Sequence, residues 1–188
     1  MPLAINQIKA GLGIEMNGEI FLVTEHQHVK PGKGGAFAKV RLRNVRTNQV
    51  FERTIKPADK VEEIPLEERR LQYLYDGGDV VNFMDNTTFE EVPVSKDMLG
   101  NNLSFLLDNL EVRGLFHGKD LLNIELPIFI EAEITHTEPG FRGDTSKAGN
   151  KPATIEPGAT IQVPLFIEIG DKVKIDTRTG TYVERVKS

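Results

Sequence analysis

Cysteine is absent from the 188 residues, which removes disulfides, thiolate metal sites and cysteine nucleophiles together. That lack agrees with a reducing compartment, and a cytoplasmic location is the expectation. Tryptophan is also absent and tyrosine occurs only three times, so the aromatic platform that grips single-stranded nucleic acid is thinly supplied. No window approaches the roughly 18 apolar residues that a membrane helix requires, and neither secretion nor a membrane partner is expected. Asn86-Thr87-Thr88 and Asn102-Leu103-Ser104 fit the N-glycosylation pattern, which has meaning only in a secreted chain; both are read as chance.

The usual signatures of chemistry are missing as well. Gly118-Lys119 is followed by Asp120 rather than Ser or Thr, so there is no phosphate-binding loop, and no serine sits in a nucleophile elbow. His26 and His28 share a strand face by spacing but have no third ligand nearby, and His117 and His136 stand alone; no metal or other cofactor is expected. The acidic pairs Glu67-Glu68 and Glu90-Glu91 lie in the most acidic third of the chain and read as a solvated face. No catalytic residue emerges, so the chain is not expected to be an enzyme.

What is present is a folded, mainly β protein. The apolar fraction is 39% and the charged fraction 27%, the balance of a globular chain rather than a disordered one. Short runs alternating with period two, rich in Val, Ile, Phe and Thr and bounded by Gly, Pro, Asn or Asp, predict strands over 20–29, 37–45, 50–56, 72–75, 80–84, 128–135, 160–169 and 182–186. Only 102–107 looks helical, with an extension back to Lys96 interrupted by Gly100. Many short strands with frequent turns point to small barrels. Composition breaks at Val61-Glu62-Glu63-Ile64-Pro65 and at Leu126-Pro127 divide the chain into 1–64, 65–127 and 128–188. Each part is near the lower size limit for an independent core. No sequence repeat establishes that the three are related.

The net charge of −5 is unevenly spread, the three parts carrying +3, −7 and −1. Within 30–56, Lys30, Lys33, Lys39, Arg41, Arg43, Arg46, Arg53 and Lys56 face Glu52 alone, a local polycation on an acidic protein. In 37–45, alternation puts Ala38, Val40 and Leu42 on one face and Lys39, Arg41 and Arg43 on the other. That outer face serves either solubility or the binding of RNA phosphates. The preceding loop reads Val29-Lys30-Pro31-Gly32-Lys33-Gly34-Gly35-Ala36. Pro31 sets a turn, Gly32 permits a positive φ, and Gly34 and Gly35 remove side chains beyond Lys33. Two readings stand: an ordinary solvated turn, or a slim tip that brings one flexible ammonium and bare backbone up to RNA. A second long polar stretch, 138–152, lies between strands and is either a flexible or a functional loop.

Lys30-Pro31-Gly32-Lys33-Gly34-Gly35-Ala36-Phe37 resembles the KPGKGxAF loop of the elongation factor P family, with its second lysine at the tip. Gly143-Asp144-Thr145, followed by Gly149 and Lys151-Pro152-Ala153-Thr154, resembles that family's GDT and KPAT stretch. A third match is Val163-Pro164-Leu165-Phe166-Ile167 with Lys174-Ile175-Asp176-Thr177-Arg178-Thr179-Gly180 and Tyr182; Ala148 stands where glycine is commoner. The three motifs occur in order along nearly the whole chain.

The resemblance implies an all-β protein of three small barrels, an SH3-like or KOW-like one over 1–64 and OB-folds over 65–127 and 128–188, arranged as an L-shaped mimic of tRNA. It implies a monomer that binds the 70S ribosome between the P and E sites and relieves stalling at consecutive prolines. On that implication Lys30, Pro31, Gly32, Lys33 and Gly34 meet the CCA end of the P-site peptidyl-tRNA, and Lys39, Arg41 and Arg43 bind rRNA backbone. Gly143, Asp144 and Thr145 approach the E-site codon. The resemblance allows a lysine-modifying enzyme as a further partner at Lys33, a residue compatible with β-lysylation, with an aminopentanol-type addition, or with no group. Two alternatives remain beside it: a paralogue sharing fold and ribosome site, and a general single-stranded RNA-binding OB protein.

Overall fold

The computed structural model describes residues 2–140 and 149–187. They form three five-stranded sheets. The first has the order β4-β3-β2-β1-β5, with β1 at Gly13–Met16, β2 at Glu19–Val29, β3 at Phe37–Asn44, β4 at Val50–Ile55 and β5 at Glu62–Ile64. The second has the order β10-β9-β6-β7-β8, from β6 (Glu67–Asp76), β7 (Val80–Asp85), β8 (Glu91–Ser95), β9 (Glu111–His117) and β10 (Asp120–Glu125). The third runs β13-β12-β11-β14-β15, from β11 (Phe129–Thr137), β12 (Asn150–Ile155), β13 (Thr160–Pro164), β14 (Lys172–Asp176) and β15 (Thr181–Arg185). In this last sheet β13 and β15, at opposite ends of the order, come back into contact and curl it towards a barrel. The all-β, small-barrel architecture is as the sequence predicts.

The chain packs as two compact units, 1–68 with 114–123, and 69–113 with 124–187 among the described residues. In the first, alternation along β3 buries Ala38, Val40 and Leu42 against Ile8, Ile14, Met16, Phe21, Val23 and Ile55. β2 outlasts this core. After Val23 a bulge shifts its register with β3, and Thr24, Glu25, His26, Gln27 and His28 are all exposed, so its outer half is a solvated arm. In the second unit the core of the third sheet is drawn from Ile130, Ala132, Ile134, Ala153, Ile155, Ile161, Val163, Val173 and Ile175.

The helical insertion is a single turn, α1 at Lys96–Leu99, running into a 3-10 segment Gly100–Phe105. Ser95 caps α1 by accepting from the Met98 N–H. Gly100 separates the two with φ 52°, a backbone geometry that glycine alone adopts freely. The predicted strand over 160–169 stops instead at Pro164. Proline has no N–H for the ladder, and Ile167 turns back to donate to the Pro164 carbonyl.

One tight turn is built three times, once in each sheet. Asn44, Asp85 and Asp176 each end a strand and accept on their own side-chain oxygen from an N–H two residues on, at Arg46, Thr87 and Arg178. Each carbonyl then accepts from the N–H four residues on, at Asn48, Phe89 and Gly180. Those closing residues all have positive φ: 59° at Asn48, 59° at Phe89 and 68° at Gly180. The shared spelling is Asn or Asp, two variable residues, Thr (Thr47, Thr88, Thr179) and the left-handed residue. This is a short repeat that whole-segment comparison does not bring out.

Candidate functional site

Residues 30–36 join β2 to β3 beyond the last strand pair, Val29 with Phe37, and all seven are exposed. The left-handed residue is Gly34, with φ 112°, whereas Gly32 does not take a positive φ. The positive φ that glycine permits is thus used past Lys33 rather than before it. A Cβ added at Gly32 would meet nothing within 4 Å, one at Gly34 only Pro31 Cγ at 3.9 Å, and one at Gly35 only Pro57 Cγ at 3.8 Å. Space inside the fold does not demand glycine at 32 or 35. What the glycines secure is a thin outward profile on either side of Lys33.

On the outer face of β3, Lys39 lies between Gln27 of β2 and Thr54 of β4, and Arg41 between Glu25 and Glu52. The Arg41 guanidinium donates from Nη1 to Glu25 Oε1 at 2.8 Å and from Nη2 to Glu52 Oε1 at 3.0 Å. The hydrogen bond to Glu52, followed by the charge of Glu25, raises the Arg41 pKa above the ordinary arginine value. Arg43 is half-buried and has a partner of its own. Alternation puts the three cations on one face, but their availability differs. Lys30, Lys33 and Lys39 are exposed and make no ion pair among the described residues, whereas Arg41 is clasped by two carboxylates. Strand alternation shows which face Arg41 takes; it does not show the cross-strand register that brings Glu25 and Glu52 to it.

The His26 and His28 rings meet at a tilt of 58°, with centroids 5.3 Å apart. His26 Nδ1 accepts from the Ala10 N–H at 3.2 Å, and His28 Nε2 donates to the Ile8 carbonyl at 3.1 Å. The pair stitches the chain at 8–10 to the solvated arm of β2. No cluster of three potential metal ligands occurs among the described residues, and no described helix is long and apolar enough to cross a membrane.

Gly143, Asp144 and Thr145 lie outside the described residues. The strands on either side are tied together. Lys151 is only 7% exposed, and its Nζ donates to the Glu138 carbonyl at 2.7 Å. Thr137 Oγ1 donates to the Pro152 carbonyl at 2.9 Å. A Cβ on Gly140 would come within 2.7 Å of the Leu165 carbonyl oxygen, so glycine is required there for close approach. A buried lysine is unusual enough to mark, but its sequence context, a Lys-Pro beside a polar stretch, reads as surface.

Family models match three consecutive stretches: the elongation factor P KOW-like domain over 4–61, the elongation factor P OB domain over 66–124 and the elongation factor P C-terminal domain over 130–185. Among curated proteins, the elongation factor P of Caldanaerobacter subterraneus subsp. tengcongensis is 48% identical over 98% of this chain and 100% of its own length. That of Thermoanaerobacter sp. is 47% identical with the same coverage, and that of Helicobacter hepaticus is 42% identical over the full length of both chains. Three family models in register, with relatives matched end to end, place this chain in the elongation factor P family.

Proposed function

We propose that this translation elongation factor binds the 70S ribosome between the P and E sites and relieves stalling at consecutive prolines by positioning the P-site peptidyl-tRNA. The observation that carries the reading is the tip itself: Lys33, exposed and without an ion pair among the described residues, on a loop whose glycines serve its outward profile rather than its packing. Lys30, Pro31, Gly32, Lys33 and Gly34 then meet the CCA end of the tRNA, and Lys39, aided by Arg41 and Arg43, holds rRNA phosphates. Gly143, Asp144 and Thr145 take the E-site codon. The three-part division at 1–64, 65–127 and 128–188 belongs to this reading, supported by one sheet and one family match in each part.

The chemistry asked of the factor is alignment. Proline is a constrained secondary amine, and a polyproline nascent chain holds the ester carbonyl away from the attacking nitrogen. Fixing the reactants in line is worth up to about 7–11 kcal/mol in ideal model reactions. No acid or base on this chain is needed, and the ribosome remains the catalyst. An ammonium on a four-carbon stem suits the task as a mobile point charge for phosphate or hydroxyl oxygens. A group added to Lys33 by a modifying enzyme would lengthen that reach. The factor acts as a cytoplasmic monomer.

The test is co-sedimentation of the purified chain with 70S ribosomes across a salt series. Wild type is expected to bind with an affinity that falls as salt rises, and Lys39→Glu is expected to weaken binding and flatten the salt dependence. Equal binding by wild type and Lys39→Glu at every salt concentration would remove the basic strand from the interface.

A further inference from the structure

The threefold turn exposes an anomaly. Its closing residue must take a left-handed backbone, and two of the three copies supply Asn48 and Gly180, residue types that tolerate it. The third supplies Phe89, at φ 59°. A bulky side chain in that region is a genuine outlier. Packing does not account for it, because Phe89 is 72% exposed, the most exposed large hydrophobic residue among those described. The turn closes through the Phe89 backbone N–H to the Asp85 carbonyl at 2.8 Å, a bond that Asn or Gly makes equally well in the sister turns. The fold thus carries a strained backbone and an exposed ring for no return within the chain. Strain held in this way marks contact sites.

The surroundings define the partner. Glu90 and Glu91 follow directly and are exposed, and Asn86 in the same turn donates to Glu111 at 3.2 Å. Glu91 accepts from the Tyr75 hydroxyl at 2.7 Å, which places a second aromatic, 51% exposed, on the same hairpin pair. Two cations stand beside this cluster, Arg70 at 3.8 Å from Glu111 and Arg69 at 3.9 Å from Asp85, against the four carboxylates Asp85, Glu90, Glu91 and Glu111. The part of the chain that holds the turn carries a balance of −7. RNA phosphates are repelled by such a field, whereas a cationic protein surface is drawn to it. A single rigid aromatic rimmed by carboxylates has the make-up of an interface hot spot.

We propose that the Asp85–Phe89 turn is a protein-docking knob: Phe89 enters an apolar socket on a basic protein of the ribosome, and Glu90, Glu91 and Glu111 meet the cations around it. This rests on the ribosome-binding reading above, but uses a surface and a class of partner distinct from the lysine-tipped loop and its RNA.

Phe89→Gly and Phe89→Asn copy the sister turns and test it. Both variants are expected to raise the midpoint of thermal unfolding, because they relieve the backbone, and to weaken co-sedimentation with 70S ribosomes by on the order of tenfold. With Phe89 replaced by p-benzoylphenylalanine, irradiation on ribosomes is expected to link the chain to a basic ribosomal protein. A lowered unfolding midpoint in both variants would make Phe89 a packing residue and overturn the proposal. A raised midpoint with unchanged ribosome affinity, or a cross-link to rRNA alone, would also overturn it while leaving the lysine-tip reading intact. Wild-type chain that fails to sediment with ribosomes would overturn both.

Discussion

Lys33 differs from Arg41 in what surrounds it. Arg41 is held between Glu25 and Glu52 at 2.8 and 3.0 Å, so its charge is largely spent on joining β2, β3 and β4. Lys33 is flanked by Gly32 and Gly34, with no side chain to hold it. The same contrast appears at Asp176 and Arg178 in the third sheet. The Arg178 side chain hydrogen-bonds to Asp176 and holds the carboxyl below its usual range, with the Arg178 and Thr179 N–H groups adding to the effect. A depressed folded pKa stabilises the native state above the ordinary aspartate value, and that contribution is lost as pH falls through the folded value. Arg178→Ala should therefore move the Asp176 titration midpoint upward, part of the way to the ordinary range because the backbone bonds remain. Carboxyl-detected NMR titration reads this directly, and an unmoved midpoint would mean the side-chain pair contributes nothing in solution.

At the scale of elements, the β2–β3 hairpin shows what a clasped arginine does. Arg41→Glu would set three carboxylates abreast on neighbouring strands, and like charges directly opposite destabilise a sheet. The expected outcome is a lowered midpoint of thermal unfolding, and a small one because all three groups are exposed to solvent. Lys39→Glu, opposite Gln27 and Thr54, should leave the midpoint of thermal unfolding nearly unchanged. Denaturation of the two variants side by side separates fold from interface, and equal stability would show that the clasp is not populated. This hairpin was legible in the sequence because β3 has one face in the core, so period two survives in Ala38, Val40 and Leu42. The outer half of β2 is solvated on both faces, and there only the β-favouring composition marked it. β1 and β5 span four and three residues, too short for any period. β12 contains Pro152, paired with Gln162, and reads as loop because proline is uncommon in a ladder. The position of the left-handed glycine, at Gly34 and not Gly32, followed from the path between Val29 and Phe37, which turn propensity does not encode.

At the scale of the molecule, charges of opposite sign are gathered on different segments of the chain. The basic first part presents the lysine tip and the Lys39 face, and the acidic middle part presents Phe89 on a strained turn. A net charge of −5 is therefore compatible with a nucleic-acid partner, since the groups that would meet phosphate are gathered on one hairpin. The family was legible from three short motifs, and matches covering nearly the whole chain bear it out. The threefold turn was not, because its information lies in five residues at a time and in backbone angles. The central claim concerns Lys33, and the measurement that tests it most directly is the rate of peptide-bond formation on ribosomes translating consecutive prolines, with the wild-type chain or Lys33→Ala. Lys33→Ala is expected to bind ribosomes as wild type does, yet to give little or no acceleration at the proline run. Acceleration by Lys33→Ala equal to wild type would contradict it.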